Sequence, residues 1–465
     1  MPQSSRRQGP GLVDACVAWV EARIEGQVFR PGDRLPSIRA LARTRGVSPF
    51  TVVAAYDRLA DRGLVEARAG SGVYVRPRSA PQPAAPAPSN IDLAWLMRHM
   101  LDSGRVQGPG LGVLPPSWLD GAQVADSLRA LGREGADRWL AAGGSHGFEP
   151  LRDLLQQRLA GMGVVARPDQ IVLTTGITQA LDLVLRELTR PGDAVLVPEP
   201  CWFGALGMLA ARGLRIVGVP CGPDGPDLER LEALTAEVRP RLMILTATAH
   251  NPTGFTLDPE AIDRILAVAR AHDVMIFEDD VYADLGAPGA PRFAARGGLD
   301  RVIYGGSFSK TLASNLRVGF VAAAPDRAQA LADAKILGGF TTPEINERLL
   351  HRLLSGRTYS RRTAELRARL DAARLAMQAR LEAEGFTVLG RPQAGLFLWV
   401  DMGCDTNQLA VAAHGQLIAP GALFSPDGGV SPWMRINVAT PQDQAFAALM
   451  DLARARAPGA SDRSA

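Results

Sequence analysis

Lysine is almost missing from this chain of 465 residues: Lys310 and Lys335 stand against 49 arginines. Positive charge is otherwise supplied by arginine, so charge alone does not account for Lys310, which falls in SFSKTLASNLRVGF, residues 307–320. Cysteine is scarce too. Cys16, Cys201, Cys221 and Cys404 are far apart and form no CxxC pair, which argues against a disulfide framework and a thiolate metal site and fits free thiols in a reducing compartment. No run approaches the length of an apolar membrane span, and the N-terminus lacks the uninterrupted apolar stretch of a signal peptide. The expectation is a cytoplasmic protein with no membrane association and no metal.

What is present describes a globular chain: 46% of residues are hydrophobic and 21% charged. The formal charge of +3 conceals an asymmetry, because residues 1–78 hold 13 arginines against 7 acidic residues and the remainder 38 basic against 41 acidic. A basic head on a mildly acidic body suits a polyanionic partner. Between them, RPRSAPQPAAPAPSN has five prolines and almost no large apolar side chains, the composition of a semi-rigid linker. The expected organisation is a head at 11–78, a linker at 79–90 and a body at 91–457.

In the head, Ser37 to Arg45 reads as a short helix ended by Gly46. Ser48 then caps a second helix with Pro49 at its first position, where proline's missing N–H costs least. Val52, Ala55, Tyr56 and Leu59 recur at helical spacing and are expected to face the core. GLVEARAGSGVYV gives two short strands around a glycine turn. Helix, turn, helix and hairpin make a winged helix-turn-helix, which places the N-terminal end of its second helix in the major groove. The segments GDRLPSIRALARTRGVS and TVVAAYDRL and the GSG wing resemble the GntR-type winged helix. That resemblance implies DNA contacts from Arg34, Arg39, Ser48, Thr51 and Gly70. Where such proteins often carry a polar or basic residue after the capping Ser or Thr, this chain has Pro49 and Phe50.

In the body, apolar β-branched runs (QIVLTTG, DAVLVP, LMILTAT, VMIFED, VIYGGS) alternate with amphipathic helices such as PEAIDRILAVARAHD, the pattern of an α/β domain with a largely parallel, buried sheet. An amine can condense with an aldehyde, whereas a guanidinium cannot. A lysine at 310 therefore suggests an aldehyde cofactor such as pyridoxal phosphate, and the sequence offers each group such a cofactor needs. TTGITQAL passes from strand to helix and offers the N–H groups of Ile177 and Thr178 to a phosphate, although any strand-to-helix turn looks similar. FEDDVYADL places Asp279 to hold a ring-nitrogen proton and Tyr282 to reach the ring oxygen. HNPTG supplies Asn251 and EPCWFG supplies Trp202 as a stacking face, while Ser307, Ser309 and Arg317 surround Lys310 as further phosphate ligands.

Taken in order, TTG, PCW, HNPTG, EDDVY, SFSK and Arg317 resemble the fold-type I aminotransferases over residues 90–455, with further matches in GSHGFEPLRDLL, AGLFLWVDM, APGALFS and WMRINVA. The resemblance implies a large domain with a mostly parallel sheet, a small α/β domain, catalytic roles for Lys310, Asp279 and Tyr282, and Arg435 as the clamp for a substrate or effector carboxylate. It also implies a homodimer, although near residue 142 the stretch WLAAGGSHG lacks the tyrosine that many relatives extend to the neighbouring subunit's phosphate. Head and body together resemble the MocR (GabR-like) regulators. The function so implied is a transcription regulator that senses an amino compound, or pyridoxal phosphate itself, through an aldimine at Lys310 and alters its hold on a double-stranded DNA operator of repeated half-sites. A transaminase and a cofactor-free DNA-binding regulator are the alternatives.

Overall fold

The computed structural model describes residues 11–26, 28–61, 64–68, 71–76, 97–98, 101, 108–135, 140–413 and 416–457. The linker 79–90 and the wing residue Gly70 lie outside them. The chain divides into two compact units, Met1–Pro86 and Ala87–Ala465.

The head contains α1 (Leu12–Glu25), α2 (Ile38–Arg45), α3 (Pro49–Asp61) and the hairpin β1 (Val65–Arg68) and β2 (Gly72–Val75), with Val65 paired to Val75. Its helix starts follow from their caps. Ser37 Oγ accepts the Ala40 N–H at 3.2 Å and Ser48 Oγ accepts the Thr51 N–H at 3.1 Å, satisfying donors that the first helical turn leaves open. The inward faces of α1 and α3 close a small core of Cys16, Val17, Val20, Val52, Ala55, Tyr56 and Leu59 beneath the hairpin. Tyr56 is anchored there by its hydroxyl, which donates to Pro36 O at 2.7 Å.

The body is built on an eight-stranded sheet. Its strands are β3 (Ile171–Thr174), β4 (Ala194–Glu199), β5 (Arg215–Gly222), β6 (Gly225–Pro226), β7 (Leu242–Leu245), β8 (Met275–Asp279), β9 (Val302–Ser307) and β10 (Gly319–Ala322), in the order β3-β10-β9-β8-β7-β4-β5-β6. From β9 through to β5 the neighbours run parallel, as the apolar runs imply. β10 is antiparallel to both β9 and β3. The reason is the connection 308–318, which holds no crossover helix and so returns the chain in the opposite direction. Successive residues serve opposite faces: on β8, Ile276 joins the core layer containing Leu266 and Ala269, while Phe277 joins the layer containing Leu181 and Val184.

A smaller four-stranded antiparallel sheet consists of β11 (Thr387–Val388), β12 (Phe397–Asp401), β13 (Ala419–Pro420) and β14 (Trp433–Asn437), ordered β11-β12-β14-β13. The helices Arg357–Ala383 and Gln444–Arg456 supply Leu370, Met377, Leu381, Phe446 and Met450 to its core.

Candidate functional site

The strand period decides where the chemistry lies. Asp279 ends β8 and Ser307 ends β9, and each has the parity of the residues that face the helix Gly176–Leu188, as Phe277 and Ile303 do. That helix begins immediately after β3, so its unbonded N–H groups at Ile177 and Thr178 open toward the same strand ends. Gly176 is required at the junction: its φ is +75°, and an added Cβ would lie 3.0 Å from the Arg317 guanidinium. Arg317 thereby lies beside the helix start and donates to Thr175 O at 3.1 Å.

Around this point the structure gathers all ten residues expected to hold the cofactor. Ile177 and Thr178 come from the helix start, Ser307 from the end of β9, Ser309, Lys310 and Arg317 from the connection after it, Asp279 from the end of β8 and Tyr282 from just beyond; with Trp202 and Asn251 they line one cavity. Ser307 Oγ and Ser309 Oγ are 3.2 Å apart. Asn251 lies in a turn beyond β7 and not at the strand's end, because the chain there folds back on itself, with the His250 N–H bonded to Phe255 O at 2.9 Å and the Leu257 N–H to Ala247 O at 2.8 Å.

The groups behind Asp279 fix its direction. Asp280, on the opposite face, accepts from Arg292 Nε at 2.6 Å and from the Tyr304 hydroxyl at 2.8 Å, all three being buried. Asp279 itself receives one N–H, from Val281 at 3.2 Å. Burial, with a smaller push from Asp280, raises its carboxyl to about 7 against the pull of Lys310. A buried acid so weakly satisfied suits a cationic partner, and a protonated pyridine nitrogen is one. Burial first, then the positive fields of Arg435 and Arg317, lowers Lys310 to about 8, with Asp279 opposing them.

Arg435, from the middle of β14, is 1% exposed. It donates to Asn251 Oδ1 at 3.0 Å and to Gly110 O at 2.7 Å, its Nε is without a partner, and the Phe397 ring lies 4.3 Å from the guanidinium carbon. Burial lowers its pKa only to about 10, so it is a cation at neutral pH.

Sequence reading missed the segment that covers these groups. Residues 108–113 form a strap across the site: Gly110 O is on Arg435, Gly112 O accepts from Lys310 Nζ at 2.6 Å, and Asn437 Nδ2 holds Leu111 O and Val113 O at 2.9 and 2.8 Å. The signal was the glycine pattern GPGLG at 108–112. A Cβ on Gly110 would stand 2.5 Å from the backbone of Ile418 and Ala419, so only glycine lets the strap lie against β13. Thr246 and His250 also line the cavity without having been singled out. His250 is buried, stacked on Phe255 and lowered to about 3 by burial, so it stays neutral. The other lysine, Lys335, lies elsewhere, buried and donating to Leu173 O at 3.1 Å.

In the head, Arg34 and Arg39 are exposed. Ser48 and Thr51 join their hydroxyls at 2.8 Å across the first turn of α3.

Two family models match different parts of the chain. Residues 117–451 match the model of aminotransferase class I and II, and residues 12–75 match that of bacterial regulatory proteins of the gntR family. The uncharacterized HTH-type transcriptional regulator YdcR of Escherichia coli (strain K12) is 32% identical, with 90% of this chain and 92% of that protein aligned. The HTH-type transcriptional regulator TauR of Rhodobacter capsulatus is 30% identical over 85% of this chain and 86% of its own. Among solved structures, LysN, an alpha-aminoadipate aminotransferase of Thermus thermophilus complexed with N-(5'-phosphopyridoxyl)-L-leucine, superposes with a TM-score of 0.70 at 30% identity, covering 77% of this chain and 94% of that one.

Proposed function

The chain belongs to the aminotransferase class I and II family and joins that body to a gntR-family head, the combination of the MocR (GabR-like) regulators; on that premise we propose that it is a cytoplasmic, homodimeric transcription regulator. In this reading the body holds pyridoxal phosphate, an amino compound is the effector, and the head's hold on DNA is the output. The observation that carries the reading is the gathering of all ten expected residues around one cavity in a chain that also has a DNA-binding head.

Bound there, the cofactor supplies an aldehyde carbon to which primary amines add and a ring that withdraws electrons once its nitrogen is protonated. The chain's own groups do the rest. Lys310 Nζ, lowered to about 8, offers a free amine near neutral pH. Asp279 would hold the proton at the ring nitrogen, and Tyr282, Asn251 and Trp202, which line the same cavity, would bind and orient the ring. The N–H groups of Ile177 and Thr178, with Ser307, Ser309 and Arg317, would receive the phosphate, which a helix N-terminus favours. Arg435 takes the effector's carboxylate in its planar fork.

The strap turns occupancy into a signal. An effector carboxylate on Arg435 would displace the Gly110 carbonyl, while a Lys310 amine engaged by the cofactor would be withdrawn from Gly112 O until an effector amine frees it. Loss of the Gly110 contact is the event specific to the effector, and it loosens a segment that leads back along the chain toward the linker. Coupling is limited to the difference in effector affinity between the two strap arrangements.

Two measurements check this reading. DNA fragments selected from the region upstream of the protein's own gene should share a repeated half-site, and affinity for it should fall on the order of 10³-fold from about 50 to about 200 mM salt as the head's arginines release counterions; absence of any enriched site would end the regulator reading. Reloading of the cofactor-stripped protein should accelerate as pH rises through about 8, with the free-amine fraction growing about tenfold from one unit below to one unit above. A rate independent of pH would contradict a free Lys310 amine as the attacking group.

The second reading, a transaminase, is favoured by the completeness of the set, because Lys310 Nζ can also move a proton at the substrate's α-carbon. Rapid turnover of an amino acid with a keto acid, coupled with no effect of the amine on DNA binding, would select it. A cofactor-free regulator has no such observation in its favour.

A further inference from the structure

The first turn of α3, the end that enters the major groove of DNA, has an unusual chemical surface. Phe50 is 86% exposed, and Val53, one turn further on the same side, is 38% exposed. Neither has a place in the head's core, which takes Val52, Ala55, Tyr56 and Leu59 from the opposite face. Pro49 has no N–H, and the Ser48 and Thr51 hydroxyls are paired at 2.8 Å while Ser48 Oγ also accepts the Thr51 N–H, which leaves one free hydroxyl proton between them. No guanidinium, amide or carboxylate side chain stands between Ser48 and Val53 to form the paired hydrogen bonds that identify guanine, adenine or cytosine. The same unit is cationic on its surface: Arg34, Arg39, Arg43 and Arg45 are all exposed. An apolar tip on a unit with exposed arginines complements a groove that is anionic along its phosphates and apolar at one group only, the thymine 5-methyl.

We propose that Phe50, supported by Val53, reads a thymine 5-methyl in each operator half-site. The inference rests on the regulator reading and specifies how that reading's DNA is recognised. The exposed arginines fix the head on the backbone and contribute no sequence preference. Base choice at the tip of α3 comes from contact with a methyl group, so the half-site carries thymine where most basic recognition helices would demand guanine.

The experiment uses the full-length, cofactor-loaded protein and the operator recovered by selection. Each thymine is replaced singly by deoxyuridine, which removes the methyl and nothing else. At one position per half-site the wild type should lose about fourfold in affinity, the worth of one buried methyl, and about fifteen-fold with both half-sites changed. Phe50→Ala should bind the thymine and deoxyuridine operators equally, and Phe50→Leu should keep part of the difference. Because Phe50 is outside the core, thermal unfolding of both variants should match the wild type. A flat deoxyuridine scan on an operator that is otherwise bound and salt-sensitive would overturn the inference and leave the regulator reading standing. The same holds if Phe50→Ala alters the protein's self-association while the uracil discrimination persists. Failure to bind any selected DNA would remove the regulator reading and this inference together.

Discussion

Lys310→Ala will purify without the visible absorbance that the wild type retains after gel filtration, and added pyridoxal phosphate will not restore it. The expected effect is complete loss, because covalent retention needs a primary amine and the one other lysine, Lys335, is buried elsewhere on Leu173 O. Lys310→Arg separates chemistry from charge: it keeps a cation between Asp279 and Gly112 O, yet a guanidinium does not add to the aldehyde. Both variants should still take up the cofactor reversibly from excess, since the helix start at Ile177 and the groups on Ser307, Ser309 and Arg317 are untouched. Retention of the wild-type spectrum by either variant would place the reactive amine somewhere else.

Arg435→Met will retain the cofactor spectrum but lose the response to amines that carry a carboxylate. The guanidinium is 1% exposed, and removing one partner of a buried charge pair costs about 3–5 kcal/mol, a rise of roughly 150- to 4,000-fold in the effector concentration needed. The substitution also strands Asn251 Oδ1 and Gly110 O, whose donors at 3.0 and 2.7 Å disappear, so the melting temperature should fall as well. Amines lacking a carboxylate provide the internal control. Their effect should change little, so the ratio of the two responses isolates the clamp from the loss of stability. An unchanged ratio would show that Arg435 is structural and that the carboxylate is held elsewhere.

The site was legible in the sequence because its groups come from residue types with narrow chemistry at the ends of apolar runs: a lysine among arginines, an acid closing VMIFED, a glycine between strand and helix. Cap residues exposed the head in the same way, since Ser37 and Ser48 announce helix starts by a local bond. The strap was not legible, because its contribution is made by main-chain carbonyls at Gly110 and Gly112, and every residue has a carbonyl. The direction of β10 was hidden for a related reason: its apolar content suits either orientation, and only the short connection 308–318 determines it. The pairing of Ser48 with Thr51 shows a finer limit. The resemblance turns both hydroxyls toward DNA, and the structure joins them to each other, which leaves Phe50 as the prominent group of that turn.

The central claim is that chemistry at Lys310 changes how the head holds DNA. Its most direct test is operator affinity measured for the loaded wild type and for Lys310→Ala, each with and without a saturating amino compound identified by its spectral change in the wild type. The amine should shift wild-type affinity by at least about fivefold, the low end of ordinary allosteric coupling, and leave Lys310→Ala unmoved. An amine that perturbs the wild-type spectrum while operator affinity stays constant, or one that shifts both proteins equally, would contradict the claim.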